Sequence, residues 1–136
     1  MTTTGVIVML LAGCLPDPKV GFDSPAPSKR LDAIVQASEL EDDESLVKLV
    51  EMLRSHAPTE RMFAIRSLES RTGQTLDYHH AAPHWQRIAA YNRWVLELRS
   101  MGITLPEDME LIETPNAKPE GSGDETPMDG QAYPED

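Results

Sequence analysis

The chain has 136 residues, enough for one small domain. Its 12 Lys and Arg against 23 Asp and Glu give a net charge of −11, which repels a phosphate backbone and argues against nucleic acid as a partner. The single cysteine excludes an internal disulfide and any zinc site built from several thiolates.

The N-terminal segment contains a short apolar run, Gly5 to Ala12, that ends just before the only cysteine. A membrane-spanning helix needs about 20 apolar residues, so this run is too short for a stable span. It does fit the hydrophobic region of a signal peptide, which takes about 7–15 residues before a cleavage site.

The residues Leu11-Ala12-Gly13-Cys14 resemble the lipobox of bacterial lipoproteins. The resemblance implies cleavage between Gly13 and Cys14, removal of residues 1–13, and a diacylglyceryl group on the Cys14 sulfur. It also implies a palmitate-type acyl anchor in the cell envelope. In some lipoproteins of this family an aspartate after the cysteine is linked to inner-membrane retention, and Leu15 at that position favours the outer membrane, on its periplasmic side. An alternative is a short buried strand with a core cysteine, which would make the protein a cytoplasmic module without lipid.

Residues 14–28 follow as a proline-rich stretch with no helical periodicity. They predict an extended tether between the lipidated cysteine and the body. At the other end, the ten acidic residues and one Lys from Pro106 onward give that segment a net charge of −9. With so little apolar surface to offset the entropy of ordering, residues 103–136 are predicted to form a disordered acidic tail.

Between these segments, residues 29–102 predict about four helices and an all-α fold. The first helix runs from Lys29 to Ser38 with Ser28 as its cap, and the second covers residues 42–56, with acids at its start and Arg54 and His56 at its end. The third opens at Pro58 and closes at Gly73. An extended piece, residues 74–82, leads to a fourth helix from Pro83 to about Gly102. The predicted core positions are Leu31, Ile34, Val35, Leu46, Val47, Leu49, Val50, Leu53, Met62, Ala64, Ile65, Leu68, Ile88, Tyr91, Val95 and Leu98.

The third predicted helix resembles the second helix of a HEAT repeat, with Pro58, Arg61, Ala64 and Leu68 at the four motif positions. The resemblance covers residues 43–100 and implies short antiparallel helical hairpins stacked as an α-solenoid. It gives Arg61 a structural role in contacts between successive repeats. Ala57 replaces the aspartate usual before the proline, so that cap is weaker.

His79, His80 and His84 are the only cluster that suggests chemistry. They could bind zinc or copper. Adjacent side chains of an extended segment point to opposite faces, however, so no metal site is predicted. Trp85 and Trp94 are predicted to be core or capping residues. No cofactor motif is present, and the predicted function is a non-catalytic interaction or scaffold module with an unknown protein partner. The alternative is a metal-binding or enzymatic envelope protein that uses this histidine loop.

Overall fold

The computed structural model describes residues 21–114, which form four α-helices and no β-strand. The helices are α1 Pro27–Ala37, α2 Asp43–Met52, α3 Pro58–Thr72 and α4 His84–Ser100. The prediction of an all-α fold with about four helices is therefore confirmed for this part of the chain. The predicted signal peptide, Cys14, the first part of the tether and residues 115–136 lie outside the described residues.

Local sequence signals account for most helix ends. The carboxylate of Asp42 caps α2 by accepting the Ser45 backbone N–H at 2.9 Å. Pro58 opens α3, where its missing N–H costs nothing, and Gly73 ends it with a φ of 72°. A left-handed backbone at this position favours glycine because a side chain would be strained there.

Two predicted helix ends were wrong. α1 begins at Pro27, after an Ala26 that has no side-chain cap, so Ser28 lies inside the first turn and does not cap the helix. α2 ends at Met52, which leaves Arg54 and His56 in the following turn, without a place in its last turn. The Leu53 N–H bonds to the Val50 carbonyl instead, closing the helix with a tight turn.

The helices pack around α3, which contacts both α1 and α2, while α4 packs against α2. The predicted apolar stripes of α2 and α4 are buried, but Val35 on α1 is 46% exposed and Met62 on α3 is only half-buried. The buried core consists of Phe22, Ala33, Ile34, Ala37, Leu46, Val47, Leu49, Val50, Leu53, Ala64, Ile65, Leu68, Tyr78, Ala90, Tyr91, Trp94, Val95, Leu98, Ile103 and Met109.

The start of α1 and the start of α3 are built alike. The segment from Ser24 to Ile34 returns 31 residues later as Ser55 to Ile65. The identical residues of the two segments pair as Ser24 with Ser55, Ala26 with Ala57, Pro27 with Pro58, Arg30 with Arg61, Ala33 with Ala64 and Ile34 with Ile65.

The hydrogen bonds of these two segments repeat as well. The Ala26 and Ala57 N–H groups donate to the Oγ atoms of Ser24 and Ser55 at 3.3 and 3.1 Å. The Nη1 atoms of Arg30 and Arg61 donate to the carbonyl oxygens of the same two serines, at 2.6 and 2.8 Å. One short sequence pattern therefore specifies the same helix entry twice.

The packed body extends past both ends of the range 29–102. On the N-terminal side, Phe22 is 1% exposed. On the C-terminal side, Met109 is 2% exposed, and the Asn92 amide exchanges two hydrogen bonds with the Ile112 backbone, at 2.7 and 2.9 Å. The predicted tether and tail assignments are therefore wrong for residues 21–28 and 103–114: Pro27 and Ser28 belong to α1, and the other segments pack onto the helices.

The connection between α3 and α4 is also not extended as predicted. It consists of turns, and Leu76 and Asp77 have φ values of 47° and 58°. Its turns are held from both sides, because the Tyr78 hydroxyl donates to the Leu53 carbonyl at 2.6 Å and the Trp94 Nε1–H donates to the Thr75 carbonyl at 3.2 Å. The segment is therefore fixed against α2 and α4.

Candidate functional site

A cleft of about 740 Å³ lies where the end of α2, the turn before α3, the first half of α4 and the C-terminal segment meet. Its lining residues are Arg30, Glu51, Met52, Leu53, Arg54, Ser55, His56, Ala57, Glu60, His84, Arg87, Ile88, Tyr91, Asp108 and Ile112. Ligand sites in proteins are commonly concave surfaces of mixed apolar and polar lining. This cleft has that composition.

Helical periodicity builds one wall of the cleft. His84, Arg87, Ile88 and Tyr91 follow each other on α4 at i, i+3, i+4 and i+7, so they occupy one face of the helix. Ile88 and Tyr91 belong to the apolar stripe of α4. Arg87 is half-buried beside Ile88 and adds a charged group to this wall.

Two buried donors on this wall have no hydrogen-bond partner among the described residues. They are the Nε–H of Arg87 and the hydroxyl of Tyr91. Leaving a buried polar group unsatisfied costs about 1–3 kcal/mol. Both groups lie on residues that line the cleft, one helical turn apart.

The Arg54 guanidinium lies over the ring of Tyr91. Its Cζ atom lies 5.4 Å from the centre of the Tyr91 ring, a cation–π distance. Burial raises the pKa of Tyr91, and the nearby Arg54 guanidinium partly opposes that rise. The hydroxyl therefore keeps its proton at neutral pH and remains available as a donor.

The other charged groups of the cleft are largely paired. Glu60 is 4% exposed and forms an ion pair with Arg30, from Oε1 to Nη2 at 2.8 Å, while its other oxygen accepts the Ser55 hydroxyl. On the rim, Glu51 pairs with Lys48 at 2.9 Å. Among residues 21–114, no ion pair joins Arg54 or Arg87 to a carboxylate. Asp108 is the remaining carboxylate of the lining.

Arg61 holds the turn that precedes α3 and borders the cleft. It is 7% exposed, and its guanidinium donates to the carbonyl oxygens of Ser55, His56 and His80 at 2.8, 3.0 and 3.1 Å. Burial lowers the pKa of Arg61, and the neighbouring Arg87 guanidinium lowers it further. These bonds fix the turn that carries Ser55 and His56, both of which line the cleft.

The predicted histidine cluster does not form a ligand set. The rings of His79 and His80 stack with centroids 5.1 Å apart, so the expectation that they point to opposite faces was wrong. His84 lines the cleft instead. Within residues 21–114, no group of three or more His, Cys, Asp or Glu side chains is placed to hold a metal ion.

The other predicted site residues have diverse positions. At the positions of the predicted HEAT motif, Pro58 opens α3, Ala64 and Leu68 are buried in the core, and Arg61 makes the carbonyl contacts given above. Gly13 and Cys14 lie outside the described residues. Of the two tryptophans, Trp94 is fully buried and Trp85 half-buried.

Sequence reasoning missed the cleft. Tyr91 was predicted only as a core position, and Arg87 was not singled out. The available signal was an arginine directly before Ile88 and four residues before Tyr91, next to the apolar stripe. A charged residue at such a position needs either a partner or a route to solvent.

The chain matches no family model, no curated protein and no solved structure. In the described part of the chain, none of the helices combines the length and apolar character needed to cross a membrane.

Proposed function

We propose that the protein is a bacterial envelope lipoprotein whose helical body is a HEAT-like protein-interaction module without a catalytic role. The observation that carries the module part is the 31-residue repeat of sequence and hydrogen bonding at the starts of α1 and α3. Repeat proteins are built from such units because each buries its apolar faces only against its neighbours.

The packing of the helices supports this interpretation. Contacts join α1 with α3 and α2 with α4, that is, alternate helices, as expected if two layers of helices are stacked. In that arrangement α1 is the second helix of one unit, α2 and α3 form the next unit, and α4 begins a third. The motif positions Pro58, Arg61 and Ala64 then correspond to Pro27, Arg30 and Ala33.

Contacts of the two equivalent arginines support stacking as well. The Nε atom of Arg30 donates to Glu60 on α3 at 2.8 Å, and the Nε atom of Arg61 donates to the His80 carbonyl at 3.1 Å. Each arginine thus holds its own helix entry with Nη1 and reaches a later segment of the chain with Nε. Under the proposal, these Nε contacts correspond to the polar contacts between successive units that the HEAT resemblance implies for Arg61.

The location part rests on the lipobox resemblance of Leu11-Ala12-Gly13-Cys14. A lipidated Cys14 would carry two or three acyl chains, and two are enough for stable membrane attachment. The outer membrane, facing the periplasm, is the proposed site. Only the Cys14 thiol can form the thioether to the lipid, so the proposal assigns membrane anchoring to the Cys14 sulfur.

Fractionation of cells that express the full chain tests the anchor. The native protein should partition with the membranes, with a mass that lacks residues 1–13 and includes fatty acyl groups, while Cys14→Ser should be released from them. Thr4→Ser, inside the predicted signal peptide, is the control and should behave as native. An unmodified native mass, or membrane attachment of Cys14→Ser, would refute lipid anchoring.

Affinity purification tests the interaction module. The native chain, extracted from membranes in mild detergent, should retain a protein partner in a fixed ratio, and the Cys14→Ser chain should bind the same partner in solution. Binding by both forms would assign the interaction to the body, not to the lipid. If neither form retains a partner, the interaction proposal is contradicted.

A further inference from the structure

We infer that the face of α4 around Asn92 is a groove for an extended peptide of a partner protein, and that residues 103–112 occupy this groove as an intramolecular strap. The starting point is the contact between Asn92 and Ile112. The Asn92 amide donates to the Ile112 carbonyl at 2.7 Å and accepts the Ile112 N–H at 2.9 Å. The inference rests on the proposed function of an interaction module and specifies the class of partner.

The Asn92 amide binds backbone, not side chain. A side-chain amide presents one donor and one acceptor side by side, and the N–H and C=O of a single residue complement both. Every residue except proline offers that pair, provided that no helix or sheet already uses it. Proteins that bind extended peptides commonly combine such main-chain hydrogen bonds with side-chain pockets that give specificity.

Two apolar side chains of the strap supply the specificity. Met109 is 2% exposed and Ile112 is half-buried against the core, whereas Glu110 and Leu111 between them are exposed. Residues 109–114 form neither helix nor strand, and the inward spacing of three residues matches the three-residue turn of a polyproline II segment. The matching partner is therefore an extended segment with two large apolar residues three positions apart.

The strap is held at few points, so a partner can replace it. Residues 110, 111, 113 and 114 make no hydrogen bond to the rest of the described chain. Within residues 21–114, no ion pair joins Glu107, Glu110 or Glu113 to a basic side chain. Segments with so few contacts open locally at low cost in free energy. A peptide with the same apolar spacing then competes with the strap for the groove.

Fluorescence anisotropy on the full chain with Cys14→Ser tests the groove. The probe is a labelled synthetic peptide of residues 104–114, and the control peptide carries Met109→Ala and Ile112→Ala. Two variants of the chain loosen the strap and keep Asn92. One combines Met109→Ala with Ile112→Ala and so truncates both apolar side chains, while the other, Ile112→Pro, removes the N–H that Asn92 accepts.

The probe should bind the loosened chains at least tenfold more tightly than the chain with the native strap. In the native chain the strap competes at the high effective concentration of an attached segment. Asn92→Ala, added to a loosened chain, should weaken binding at least tenfold. Gln86→Ala is the matched control, because Gln86 is an exposed amide on the same helix, and it should leave binding unchanged. The control peptide should not bind.

Four results would each overturn the inference: no binding to a folded loosened chain, equal binding to the native chain, equal binding of the control peptide, or no effect of Asn92→Ala. Urea unfolding followed by tryptophan fluorescence shows whether each variant folds, and either loosened variant with a cooperative transition is sufficient. The assay contains no cellular partner, so its failure contradicts the groove alone. The interaction module fails separately, when affinity purification retains no partner.

Discussion

Tyr78 and Tyr91 are both buried, 5% and 1% exposed, yet their hydroxyls have opposite bonding states. The Tyr78 hydroxyl donates to the Leu53 carbonyl at 2.6 Å, while the Tyr91 hydroxyl has no partner among the described residues. Burial raises the pKa of both, so both are protonated at neutral pH. Tyr78→Phe should therefore lower the free energy of unfolding by about 1–2 kcal/mol. Tyr91→Phe should change it by less than about 0.5 kcal/mol, since no bond is lost.

Urea unfolding followed by tryptophan fluorescence measures the two values side by side. Each variant is the control for the other, because both remove one buried hydroxyl and keep the ring. A comparable loss in the two variants would mean that the Tyr91 hydroxyl is bonded in the folded protein.

The two tyrosines also show what residue patterns can predict. Tyr91 was predicted as a core position because it continues an apolar stripe, and it is buried. Whether its hydroxyl finds a partner depends on Arg54 and Arg87, which come from different elements of the fold. No spacing along α4 carries that information, so the cleft had no signature in the sequence beyond an arginine next to the stripe.

At the level of the helix, Asp42 gives α2 a defined start. Its carboxylate accepts the Ser45 N–H and the Ser45 hydroxyl, both at 2.9 Å. Asp42→Ala should cost about 1 kcal/mol of unfolding free energy, since a lost N-cap typically costs that much. Asp43→Ala removes a carboxylate one position later that makes no cap, and should cost no more than a few tenths of a kcal/mol through the helix dipole. Chemical denaturation of both variants checks the difference, and equal costs would contradict the capping role.

Helix ends that depend on nearby residues were predictable, and those that depend on distant contacts were not. Pro58, Gly73 and the acids at the start of α2 act within one turn, and they specify the ends where expected. The connection between α3 and α4 was predicted as extended because its sequence shows no periodicity. In the structure its turns are held by two hydrogen bonds. The Tyr78 hydroxyl donates to the Leu53 carbonyl, and the Trp94 Nε1–H donates to the Thr75 carbonyl. Those bonds span 25 and 19 residues, beyond the reach of a local pattern.

For the whole molecule, the prediction from composition ended the folded body at residue 102, whereas it extends to about residue 112. Residues 106–113 hold four of the ten acids of the C-terminal segment, which favours disorder. Their acids point outward, however, while Met109 is buried and Ile112 half-buried against the core. Two apolar contacts and the Asn92 amide pairing are enough to hold the segment, and neither can be predicted from average charge. The same segment places Asp108 and Ile112 at the cleft, so the edge of the body contributes to its candidate site.

Met109 tests whether this segment is part of the folded body. Met109→Ala should lower the free energy of unfolding by about 2–3 kcal/mol, because truncating a buried methionine removes apolar contacts and leaves a cavity. Met101→Ala is the matched control: Met101 is 51% exposed, and its truncation should cost less than about 0.5 kcal/mol. Urea denaturation of both variants measures the contrast. If Met109→Ala unfolds at the native midpoint, residues 103–114 do not stabilise the body, and the wall of the cleft that includes Asp108 and Ile112 is not fixed in solution.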